Sequence, residues 1–125
     1  MKREIEILLR RSEGFADDAL HDWEKNRFDL ALVHVEQALQ LLIKAKLLDL
    51  KGYFEKTHSL RKLLEELAEI WKGNEIRNFI EEYREILKIV ELSYIAGRYL
   101  AEEFEREDAE KAFEVYRKLK ALILE

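Results

Sequence analysis

A guanidinium set between two phenols, Tyr94, Arg98 and Tyr99, is the group in this 125-residue chain best equipped to hold an anion. Arg98 offers a planar fork of donors to a phosphate or carboxylate, and the two tyrosines supply stacking or hydrogen-bonding partners. The bland alternative for Arg98 is an interhelical ion pair. A second group, His34, Gln37 and Lys44, lies along one side of an otherwise apolar helix, at spacings that bring its members to a common face. Three polar groups on such a face predict either a wet groove able to bind a nucleotide or polyphosphate, or a dimer contact. Taken singly, His34 also reads as a core histidine satisfied by one neighbour, and Lys44 as part of a solvated stripe. His58, beside Thr57 and Ser59, reads as structural, its ring packed over a loop or bound to the last carbonyls of the preceding helix.

No residue is assigned a catalytic role, and neither a metal nor a cofactor is expected. The three histidines do not stand three or four residues apart, which a helical metal site would require. The four glycines occur singly and form no phosphate-cradling loop. Ser12, Ser59 and Ser93 show no strand-to-helix elbow that would expose a nucleophile.

The elements that must position these groups are helices. Ile5, Leu8, Leu9, Ser12, Phe15, Ala16, Ala19 and Trp23 recur every three or four residues and predict a first helix over Arg3 to about Lys25. The turn at Asn26 to Phe28 is short enough to fold a second helix, Phe28 to Leu50, back antiparallel to the first. That second helix is apolar almost all round and belongs at the centre of a bundle. Lys51-Gly52 stops it, and Thr57 or Ser59 caps a third helix that runs to about Trp71. Gly73-Asn74 ends the third helix and caps a fourth. The stripe Ile76, Phe79, Ile80, Tyr83, Leu87, Val90 and Tyr94 then predicts one continuous helix to about Tyr99. A fifth helix spans about Arg106 to Leu124, with Asp108 at its positive end. Trp23, Trp71, Phe79 and Tyr83 read as core or dimer anchors.

Composition agrees. There is no proline, and 39% of residues are charged, a balance that favours long helices over strands. The predicted fold is all-α: an up-and-down antiparallel bundle of four to five helices on two long central ones, forming a single domain over residues 1–125. The lack of cysteine fits a reducing cytoplasm, and the charged start lacks the apolar run of a signal peptide. No stretch reaches about 18 consecutive apolar residues, so a soluble protein without membrane association is expected. Heavy use of Glu, Lys and Arg resembles a thermophile's composition. A net charge of −5 argues against gripping nucleic acid through bulk charge, although local basic clusters remain available.

Several motifs, in order, resemble those of the HEPN family, small helical proteins often found beside minimal nucleotidyltransferases. Phe28-Asp29-Leu30-Ala31 is similar to the family's aromatic-acid-x-Ala opening of its second helix, and Gln37-Ala38 and Lys44-Ala45 to its central pairs. Thr57-His58-Ser59-Leu60 resembles its Thr-His-Asp-Leu start of the third helix. Gly97-Arg98-Tyr99 resembles its Ala-Arg-Tyr element, and Glu107 to Ala112 its acidic opening of the last helix. The resemblance covers nearly the whole chain. It implies a bundle on two long antiparallel helices, a symmetric homodimer and a role connected with nucleotides or RNA.

Ribonuclease members of that family carry a histidine four to six residues beyond the arginine that Arg98 matches, whereas Glu103, Phe104 and Glu105 occupy those positions here. Metal-independent RNA cleavage needs a group that exchanges a proton near neutral pH, which imidazole does best. The literal string from Arg27 to His34 has the right spacing but lies at the start of the second helix, far from the family's location. The reading that follows is a non-catalytic, homodimeric, HEPN-like protein that binds a nucleotide or polyphosphate. It would partner a minimal nucleotidyltransferase in a toxin–antitoxin-like or stress-related system. The alternatives are an endoribonuclease toxin centred on Arg98 and a purely structural interaction module.

Overall fold

Two long helices joined by a three-residue turn organise everything else. The computed structural model describes the backbone of residues 2–99 and 103–125, and the side chains of all of these but residues 96–99. Helix α1 spans Lys2–Glu24 and α2 spans Phe28–Lys51. The turn closes through Arg27 N–H donating to Asp22 O at 2.8 Å, with Asn26 in the left-handed region at φ 61°. Small residues let the pair approach. Ala31, Ala38 and Ala45 recur every seventh residue on α2 and are buried, as are Ser12 and Ala19 on α1. Ser12 Oγ donates across the contact to Ala38 O at 2.7 Å.

α2 packs against α1, α3, α5 and α6, the central place its apolar surface predicts. Its Leu32, Leu39, Leu42, Ile43 and Leu47 are fully buried among Leu60, Leu63, Leu64, Leu67, Ile76, Val90, Val115 and Leu119. Gly52, at φ 81°, ends α2 as its N–H donates to Leu48 O. Ser59 caps α3 (Leu60–Ile70), its Oγ accepting from Lys62 N–H at 3.2 Å, while Thr57 Oγ1 accepts from Ser59 N–H.

Beyond α3 the structure departs from the expected pattern in two places. Asn74 does not cap the fourth helix: α4 spans Gly73–Glu82 and starts behind Lys72, which holds a left-handed φ of 44°. Nor does that helix run through to Tyr99. It breaks at Tyr83 (φ −107°, ψ 20°), and α5 spans Arg84–Tyr99, so the described residues form six helices. The bend is slight in hydrogen-bond terms, since Tyr83 N–H still donates to Phe79 O and Tyr83 O accepts from Leu87 N–H. Its cause is tertiary. α4 packs on α3, whereas α5 packs mainly on α2 and α6, and one straight rod does not serve both surfaces. The Phe79 and Tyr83 rings, 5.0 Å apart, fill the bend. Helix α6 (Arg106–Leu124) completes the order, with Asp108 Oδ2 accepting from Glu105 N–H at 3.0 Å at its start.

Candidate functional site

Polar residues recur along one side of α2, and their side chains meet groups from other elements. His34 comes first. Its Nδ1 donates to Asp22 Oδ2 at 2.5 Å, and its ring stacks on Phe15 at 6.2 Å between centroids. Asp22 is 6% exposed, so the pair ties α1 to α2 from a sheltered position. The other histidine of interest, His58, stacks on Tyr94 with centroids 5.5 Å apart and planes 19° from parallel. Its backbone is held as well, because Gln40 Nε2 donates to His58 O at 2.6 Å. That same nitrogen donates to Glu36 Oε1 at 2.9 Å. Gln40 and Glu36 are both buried.

Lys44 comes last, its ammonium 5.3 Å from the centre of the Phe54 ring. Burial pushes its pKa below the ordinary lysine value, and the nearby Glu36 carboxylate partly opposes that shift. Phe15, Glu36, Gln37, Gln40, Leu41, Lys44, His58 and Tyr94 together line a cleft of about 220 Å³. Among the described residues it combines one ammonium, one carboxylate, two amides and three aromatic rings. Such a lining can stack a flat ring, hydrogen-bond its edge and pair one anionic group with Lys44. In this lining Gln40 Oε1 is buried and accepts no hydrogen bond from the described residues. Leaving a carbonyl in that state costs about 1–3 kcal/mol.

Of the residues proposed from sequence, Gln37, Lys44 and Tyr94 meet in this cleft, and His58 joins them. His34 does not line it; it stands behind Phe15 and is paired with Asp22. The side chains of Arg98 and Tyr99 lie outside the described residues. Of the positions where a ribonuclease histidine would fall, Glu103 and Glu105 are exposed and Phe104 packs against the core. Arg27 is exposed beside the α1–α2 turn. Sequence reasoning missed Phe15, Glu36, Gln40 and Asp22. Only Glu36 and Gln40 left a trace, as two further polar residues at helical spacing on the apolar helix.

A second concavity runs between α3 and the α4–α5 bend, in two joined parts of about 330 and 410 Å³. It gathers Arg61, Lys62, Arg77, Arg84 and Lys88, but Glu65, Glu69, Glu81 and Glu91 alternate with them. Arg84 pairs with Glu81, and Glu91 Oε1 accepts from Arg61 N–H. The mixed charge makes it a poor phosphate track. Among the described residues no cluster of metal-ligating side chains occurs, and no helix is long and apolar enough to cross a membrane.

An all-helical bundle on a central antiparallel pair, with a polar cleft over the second helix, is the architecture that this sequence builds. The model of the HEPN domain family matches residues 5–125, so the chain belongs to that family. Membership connects it with nucleotides or RNA. Comparison with curated proteins and with solved structures returned no match.

Proposed function

We propose that the protein is a non-catalytic HEPN homodimer that binds a nucleotide or polyphosphate in the α2 cleft and partners a minimal nucleotidyltransferase. The observation that carries the reading is the convergence of Gln37, Lys44, His58 and Tyr94, from three separate segments, on one cleft that sequence spacing alone had singled out in part. Lys44 supplies the cation, and the His58–Tyr94 stack supplies a flat apolar border. Arg98 follows Tyr94 by one helical turn on α5. Calorimetric titration of the purified protein with nucleotides and with inorganic polyphosphate tests it, alongside co-purification with a nucleotidyltransferase encoded next to it. Saturable binding that Lys44→Met weakens about tenfold supports the reading. Absence of binding by every nucleotide, with no co-purifying transferase, overturns it.

One observation favours a second reading, an endoribonuclease toxin. His58 brings an imidazole to the cleft, exposed and stacked on the tyrosine one turn before Arg98. An imidazole so placed takes the 2′-hydroxyl proton as the 2′-oxygen attacks phosphorus and the bond to the 5′-oxygen breaks, the latter gaining a proton from solvent. Expression of the wild type beside Arg98→Ala and His58→Ala separates the readings. Growth arrest and RNA cleavage that both substitutions relieve support the toxin; normal growth and intact RNA in all three strains reject it.

A further inference from the structure

The α2 cleft has two chemically different ends, and the helix sets the distance between them. Gln37 and Lys44 both line it, seven residues apart, so their Cα atoms stand two turns and about 10.5 Å from each other along α2. That span is of the order of the one between the edge of a nucleobase and its 5′-phosphate. Leu41, one turn from each, gives the lining between them an apolar floor. Phe15 borders the Gln37 end, where it stacks on His34 one turn earlier. The His58–Tyr94 stack borders the middle, where Gln40 Nε2 holds His58 O. At the far end the ammonium of Lys44 lies over Phe54, and no other lysine or arginine lines the cleft among the described residues.

The two amides of the lining are used differently. Gln40 is buried, and its nitrogen is committed to Glu36 Oε1 and to His58 O. Gln37 is half-buried and makes no hydrogen bond among the described residues, so its N–H and its carbonyl both serve a ligand. Each nucleobase carries its own order of donors and acceptors along an edge, and one carboxamide held at a fixed place tells such edges apart. An ammonium pairs with an anion and takes no account of the base.

We infer that the cleft takes a nucleoside 5′-monophosphate lengthwise, with Gln37 reading the edge of the base and Lys44 pairing with the phosphate. This rests on the nucleotide-binding reading above and narrows it, since polyphosphate alone would engage the Lys44 end and leave the rest of the lining unused. The base lies over Leu41, beside Phe15 and the His58–Tyr94 stack, where apolar and aromatic surface meets a flat ring.

Calorimetry on the full chain, with the four common nucleoside 5′-monophosphates, their nucleosides and ribose 5-phosphate, separates the two roles. In the wild type one monophosphate is expected to bind about tenfold or more tightly than the other three, and inorganic triphosphate to compete at least about tenfold more weakly than that nucleotide. Gln37→Leu should level the four monophosphates and leave ribose 5-phosphate unchanged. Lys44→Met should bring the preferred monophosphate down to its nucleoside and leave the nucleoside unchanged. Each variant thus has a ligand whose binding it must not alter, and a thermal melt verifies that it folds; the wild-type comparison stands without either. Four monophosphates that bind alike in the wild type overturn the inference and leave nucleotide binding intact. So does a Lys44→Met loss shared equally by nucleoside and nucleotide in a variant that melts as the wild type does. Failure of every nucleotide to bind overturns both readings.

Discussion

Lys44 spends part of its stability on being where it is, because a charged ammonium loses hydration in the cleft and Glu36 restores only some of it. The sign of the resulting pH dependence is fixed. With the folded pKa below the ordinary 10.5, the unfolded chain holds a proton that the folded cleft gives up, so this group makes stability rise with pH across the interval between the two values. Anion binding follows the opposite course, full below the lowered pKa and falling as pH rises through it. Denaturant unfolding and ligand titration across that alkaline range should show the two opposed trends, and Lys44→Met should flatten both. Asp22 offers a second residue-scale test. Asp22→Asn leaves His34 without its carboxylate partner in a sheltered place and should cost about 1–3 kcal/mol in a denaturant melt. The pair was hard to read in advance. His34 drew notice as polar on an apolar helix, but Asp22 sits among other acids near the end of α1, and only the hairpin geometry, with both residues equally far from Phe28, brings them together. Gln40 was missed for a related reason: of its two partners, the distant one is the backbone carbonyl of His58, which no side-chain pattern records.

Helix boundaries followed local chemistry wherever local chemistry decided them. Gly52 in the left-handed region and Ser59 as a cap are where their residue types place them. The break at Tyr83 had no such signal, since neither proline nor glycine stands there and the apolar stripe runs through it; competition between the α3 and α2 surfaces bends the chain. Gly73 gives a test at this scale. Exchange of glycine for alanine inside a helix normally gains up to about 1 kcal/mol. Here a Cβ would come within 2.8 Å of Ala68 O, a backbone atom with little room to give. Gly73→Ala should therefore lower stability, by about 1–3 kcal/mol, with the loss read from a denaturant melt. Gly14, whose added Cβ would meet nothing within 4 Å, is the control and should gain stability on replacement by alanine.

At the scale of the molecule, one core cluster draws residues from all six helices, and α2 threads it. The chain should accordingly unfold in a single cooperative transition, with Leu39→Ala costing about 2–5 kcal/mol in that transition. Leu92 and Ile95, both about half exposed on α5, are natural members of a dimer contact on the homodimer reading. A charged residue at Ile95 should then shift sedimentation toward the monomer without unfolding it. The all-helical architecture was legible because apolar periodicity and the absence of proline constrain every segment alike. The cleft was legible in part: Gln37, Lys44 and Tyr94 stood out as polar groups at helical spacing, whereas Phe15, Glu36 and Gln40 join them only through tertiary packing. The central claim is that this cleft is where the nucleotide binds. Backbone amide shifts followed by nuclear magnetic resonance during titration with a nucleotide test it most directly. Shifts concentrated at Gln37, Gln40, Lys44, His58 and Tyr94 are predicted; shifts confined to the groove of Arg61, Arg77 and Arg84, or no shifts at all, would contradict it.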